Sequence, residues 1–162
     1  MFRLHRWVPG VSAGLATIAL VLALPARAAA QTHGGVRAGV SSDPTQFYFG
    51  GHIETKKLFD EVTFRPNAEV GVGDNLTVFT ANFEFVYSWD INKHPWRVYA
   101  GAGPALVIFG GSGDRPDHSD SDVGGGFNIL IGAQHKKGLF SEIKVGLGDC
   151  PEFKFGIGYA FK

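Results

Sequence analysis

The chain has 162 residues, enough for one domain, and its 15 basic residues are balanced by 15 acidic ones. That neutrality excludes a broad electrostatic attraction to nucleic acid. Charged residues make up only 19% of the chain while glycine reaches 23 residues and aromatics 13%, a composition that leans towards strands and turns. Cys150 is the single cysteine, which excludes an internal disulfide and a cysteine-cluster metal site.

The chain opens with Arg3, His5 and Arg6, continues with an apolar run from Val11 to Leu24, and then presents Ala26, Ala28, Ala29 and Ala30. This is the layout of a secretory signal, so residues 1–30 are predicted to be removed and residues 31–162 to form one domain outside the cytoplasm. A retained anchor is the competing reading, but the run falls short of the ~20 residues a spanning helix requires.

From Gly34 onward apolar and polar residues alternate, which is the period of a strand and not of a helix. The first predicted strand runs from Gly34 to Ser41, with Val36, Ala38 and Val40 set against Arg37 and Gly39. Ser42, Asp43 and Pro44 turn it into the second, Phe47 to Glu54, and a connection from Lys56 to Glu61 leads to the third, Val62 to Val72. Gly73, Asp74 and Asn75 precede the fourth, Phe79 to Trp89, and a polar turn from Asp90 to Pro95 precedes the fifth, Trp96 to Ile108. A long loop, Gly110 to Asp122, leads to the sixth strand, Gly126 to Gln134. The seventh, Leu139 to Leu147, follows the turn His135 to Gly138, and the eighth, Glu152 to Phe161, follows Gly148 to Pro151. So much strand exceeds what soluble domains carry. An all-β, eight-stranded antiparallel transmembrane barrel of up-and-down topology predicts the excess. Pro66 and Pro104 have no N–H for a closed ladder, so a bulge or an irregular pairing is expected near each.

Alternation alone leaves two closed barrels open: a soluble lipocalin-like carrier with its apolar face inward, and a membrane barrel with that face on lipid. Gly39, Gly50, Gly71, Gly101, Gly103, Gly126, Gly132, Gly146, Gly156 and Gly158 all share the polar face. Small residues there make room inside a narrow barrel, whereas on a soluble surface they would only weaken strands. Phe47, Phe49, Phe64, Phe79, Phe83 and Phe85 are among the bulky residues of the other face. Lipid outside is the better fit, with Trp89, Trp96 and Tyr159 in an interfacial aromatic girdle. The polar face then becomes the core. It sets Glu54, Glu69, Glu84, Glu142 and Glu152 against Arg37, Arg65, Arg97, Lys144 and Lys154. Matched signs persist in an interior only as a hydrogen-bonded network, so a plugged lumen is predicted over a wide channel.

This pattern resembles the small outer-membrane β-barrel proteins of Gram-negative bacteria, of the OmpA and OmpX kind. The likeness spans Gly34 to Lys162 and is most specific at the end, where Gly156, Tyr159 and Phe161 match the family's C-terminal assembly signal, with Lys162 following. It implies recognition of the last strand by the barrel assembly machinery, residence in outer-membrane lipid, and termini and short turns in the periplasm. The loop from Gly110 to Asp122 would then be extracellular.

Asp114, Asp117, His118, Asp120, Ser121 and Asp122 in that loop lack the spacing of a calcium loop, and a solvated loop is the expected state. Some barrels of this kind are lipid A deacylases, a chemistry that needs a serine within hydrogen-bond reach of a histidine. Ser141 is placed near the periplasmic end with only the turn residue His135 beside it, and His118 and Ser119 belong to the loop. The expected protein is therefore not an enzyme and carries no cofactor or metal. Its role is structural or one of surface interaction, with a small passive diffusion pore as the alternative and the lipocalin-like carrier third.

Overall fold

The computed structural model describes residues 32–73, 76–111 and 121–161. The predicted signal, Lys162, and the loop residues Asp114, Asp117, His118 and Asp120 lie outside the described residues. The strands are β1 (His33–Ser42), β2 (Gln46–Glu54), β3 (Lys57–Phe59), β4 (Val62–Gly73), β5 (Leu76–Asp90), β6 (Trp96–Gly111), β7 (Ser121–His135), β8 (Leu139–Gly148) and β9 (Phe153–Ala160). Each pairs antiparallel with its neighbours in sheet order β2-β1-β9-β8-β7-β6-β5-β4-β3, and β2 also pairs with β4. The pairs Ala38↔Ile157 and Phe49↔Val70 therefore seal a ring of eight strands. Closure leaves none of the eight ring strands as an edge, while the short β3 pairs with β4 alone.

The period-two pattern sorts the side chains as a pleated wall must. Along β5, Val78, Thr80, Asn82, Glu84, Val86 and Ser88 are buried, while Phe79, Phe83, Phe85, Tyr87 and Trp89 are exposed. The same alternation leaves Phe47 76% and Ile131 60% exposed on the outer wall. The apolar face is the outside of the barrel. The described connections divide between two rims. One carries the start of β1, the end of β9, and the connections 55–61, 91–95 and 136–138; the far rim carries 43–45 and 149–152.

Several boundaries differ from the sequence reading. β6 and β7 stay paired out to Gly110↔Ser121, so the connection from Gly110 to Asp122 is shorter than expected. Gly124, Gly125 and Gly126 carry no side chains that could reveal alternation there. The expected connection Lys56 to Glu61 contains β3, which pairs Lys57 with Thr63 and Phe59 with Val62 and is irregular between the two. Its hairpin turns on Asp60, at φ 46°, a left-handed conformation that Asp tolerates. Leu58 and Phe59 are adjacent and both exposed, so no alternation announced this strand.

Neither proline shifts a register. The irregular pairing expected near each takes the form of a ladder end beside Pro66 and a ladder gap at Pro104. The β2–β4 ladder ends at His52↔Asn67, one residue short of Pro66. Between β5 and β6 the pairs Asn82↔Ala105 and Phe85↔Ala102 keep one register but skip Pro104 and Gly103. At that gap the walls come close: a Cβ on Gly103 would stand 2.0 Å from the Phe83 carbonyl oxygen. Gly103→Ala is therefore expected to lower the stability of the folded barrel by about 1–3 kcal/mol, read as an earlier urea unfolding midpoint.

Candidate functional site

The chemistry of the chain is concentrated inside the ring. Lys144 on β8 and Lys154 on β9 are directly opposite one another in the ladder, both pointing inward and both buried. Like charges so placed repel. Glu69 resolves the conflict from β4, across the ring: its Oε1 accepts from Lys144 Nζ at 3.0 Å and its Oε2 from Lys154 Nζ at 2.8 Å. Lys144 Nζ also donates to Glu84 Oε1 at 2.6 Å. A second node forms around Glu142, which accepts from Arg37 Nη1 at 2.6 Å, Arg65 Nη1 at 3.3 Å and the Tyr99 hydroxyl at 3.0 Å. Arg65 reaches Glu54 as well, donating from Nη2 at 2.7 Å and from Nε at 3.1 Å.

Four buried carboxylates, Glu54, Glu69, Glu84 and Glu142, thus meet four buried cations, Arg37, Arg65, Lys144 and Lys154. Arg97 differs: its side chain is 35% exposed at the rim, where it donates to Gln134 and lies 3.5 Å from Glu54. Glu152 does not join. The β8–β9 turn folds Cys150 and Pro151 inward and leaves Glu152 exposed, with β9 beginning only at Phe153. Its backbone oxygen accepts from Gly146 N at 3.0 Å. The alternation was extended one residue too far into that turn.

The network rests on groups that the charge pattern did not single out. Arg65 lies 4.6 Å from the centre of the Tyr99 ring, Lys154 Nζ 5.4 Å from that of Tyr48, and Arg37 5.6 Å from that of Phe140. Cations over ring faces gain from the ring quadrupole. Each ring occupies space that a glycine leaves vacant: Gly156 against Tyr48, Gly132 against Tyr99 and Gly158 against Phe140. An amide chain completes the wall, Asn128 donating to Asn82 at 2.7 Å, Asn82 to Asn67 at 2.6 Å, and Asn67 to Glu84 Oε2 at 2.8 Å. Their parity along the strands was the available signal. Towards the far rim the polar groups give way to an apolar cluster of Val78, Ala105, Val107 and Cys150.

On the outer wall, Trp89 and Trp96 are exposed beside the 91–95 turn, with Tyr87 4.6 Å from Trp89 and His135 4.9 Å from Trp96, ring centre to ring centre. Tyr159 and Phe161 are exposed at the same rim, while Gly156 is buried in β9 and Phe161 lies just past its last residue.

If Glu142 holds two guanidinium groups, Glu142→Gln costs about 3–5 kcal/mol of stability, because Arg37 and Arg65 remain buried without their counter-charge. Glu152→Gln is expected to leave the unfolding transition where it was; both are read by urea titration in detergent.

No protein-family model matches the chain, and no curated protein matches it in sequence. Solved structures do. The N-terminal β-barrel domain of OprF from Pseudomonas aeruginosa superposes with a TM-score of 0.60 at 17% identity, over 81% of this chain and 97% of that one. Neisserial surface protein A (NspA) gives a TM-score of 0.60 at 10% identity, over 81% of this chain and 95% of that one. At such identities the likeness speaks for the fold, and the chain shares the fold of these small closed barrels.

Proposed function

We propose that the chain is an integral outer-membrane barrel with a plugged polar lumen, and that its role is structural or one of surface interaction, not catalysis. The observation that carries this reading is the inversion of the usual soluble arrangement. Phe47, Phe49, Phe85, Ile129, Ile131 and Ile157 are all exposed around the outer wall, while fully buried positions include Glu69, Glu84 and Lys144. Water gains nothing from such a wall, and hydrocarbon does. A lipocalin-like carrier needs an apolar cavity, and the interior is lined by charges instead.

β5, β6 and β7 have 15, 16 and 15 residues, more than the ~10 a tilted strand needs to cross a bilayer. Trp89, Trp96 and Tyr159 then lie at the interface on one side, where amphipathic rings are favoured. Their rim also carries Lys56, Lys93, Lys136 and Lys137 and takes the periplasmic side in this reading. The final strand, with Gly156, Tyr159 and Phe161, serves the assembly machinery. Placement in a bacterial outer membrane draws support from the two structural neighbours, one an N-terminal barrel domain and the other a surface protein.

Fractionation and gel mobility test the membrane reading. The protein is expected in the outer-membrane fraction with a mobility that changes on heating, and recovery as a soluble periplasmic protein would overturn it. Planar-bilayer recording tests the plug. A silent membrane is expected, whereas stable conductance steps would favour a small passive pore.

A further inference from the structure

The rim at which β1 begins and β9 ends opens into a cavity of about 290 Å³. Since a water occupies roughly 30 Å³ of liquid, that is space for a small organic molecule and not only for solvent. Nitrogen-bearing residues His33, His52, Arg97, His135 and Lys136 line it beside Ala160 and Phe161, with Glu54 and Asp90 as the carboxylates. Glu54 is already claimed, since Arg65 holds its Oε2 at 2.7 Å. Its Oε1 lies 3.5 Å from Arg97 Nη2, so two guanidinium groups share Glu54, and Arg65, Arg97 and Lys136 stand against two carboxylates, Glu54 and Asp90.

The donors are also set in place. Arg97 donates from Nε and Nη2 to Gln134 and from Nη2 also to Glu54 Oε1 at 3.5 Å, and among the described residues its Nη1 has no hydrogen-bond partner. The backbone N of Lys136 is tied to the Pro95 oxygen at 2.8 Å, so its side chain springs from an anchored turn. Deeper in, His52 is only 6% exposed and its Nδ1 has no hydrogen-bond partner. A buried polar atom left unsatisfied costs free energy unless something occupies the space beside it.

We propose that this mouth is a binding site for a small organic anion, a carboxylate or phosphate group held by Arg97 and Lys136 with its body directed towards His52. The site does not depend on the membrane placement proposed above; it needs only the folded barrel. Arg97 supplies the planar fork suited to such oxyanions, and Lys136 a mobile point charge at the entrance.

The test is isothermal and NMR titration of the folded protein in a non-ionic detergent, with acetate and inorganic phosphate as separate probes. Saturable binding of either probe is expected, with amide shifts at Arg97, Gln134 and Lys136, and the stronger probe identifies the anion class. Arg97→Gln combined with Lys136→Gln should weaken it about tenfold or more, the loss of charge-assisted hydrogen bonds. Lys57→Gln, at an exposed ion pair in the 55–61 connection, should leave it unchanged. Absence of saturation with both probes, or equal binding by the double variant, overturns the proposal. An unchanged heat-dependent gel mobility for the double variant establishes that its barrel is intact.

Discussion

Glu69 takes a hydrogen bond from each of two lysines on the opposite wall of the ring, and Lys144 takes Glu84 as well, at 2.6 Å. The node around Glu142 is tied to that crossing, Arg37 lying 3.5 Å from Glu69 and Lys144 3.6 Å from Glu142. Bringing an isolated charge into such a space costs several kcal/mol even after relaxation, so none of these groups is tolerable alone. Together they leave four carboxylates and four cations in mutual contact, tied by hydrogen bonds that run between strands far apart in sequence, such as Arg37 with Glu142 at a separation of 105 residues. The ion pairs thereby act as cross-braces. They hold opposite walls at fixed distances, which the ladder hydrogen bonds, running only between neighbouring strands, cannot do.

The rest of the composition follows from this inside-out design. A narrow ring that must hold guanidinium and ammonium groups beside aromatic rings has no volume left for side chains at every inward position. Glycine therefore recurs there, and a Cβ on Gly156 would lie 2.2 Å from the Tyr48 hydroxyl. With the polar groups consumed inside, the outer positions are left to Phe, Ile, Val and Leu. Among the described residues an apolar cluster around Val107 lies towards the far rim, whereas the near rim opens over His52, Glu54 and Arg97.

Much of this was legible in the order of residues because period two is unambiguous when a wall separates a charged space from an apolar one. The fifth strand shows why: Phe79 to Trp89 alternates without a break, and its inward set is the buried set. Reading failed where the pleat ends. Glu152 continues the alternation of the last strand by letter, but the turn through Cys150 and Pro151 reverses its direction. Leu58 and Phe59 form a short strand without alternating, because that hairpin stands at the rim and has no buried face to satisfy. Contact partners were also beyond reach. Arg65 pairs with Glu84 in the ladder yet bonds to Glu54 and Glu142, since the curvature of the wall decides which carboxylate a long side chain meets. Tyr48, Tyr99 and Phe140 fall on the inward parity of their strands, but alternation does not say which cation each ring meets.

The most direct measurement is a charge exchange at the central pair, Glu84→Lys, Lys144→Glu and the two combined, followed by urea unfolding in detergent. If the crossing braces the barrel, each single reversal lowers the unfolding midpoint, and the exchanged pair recovers a large part of the loss through a coupling of about 1–3 kcal/mol. Single reversals that leave the midpoint unmoved, or a double variant whose loss is the sum of the two, would contradict it.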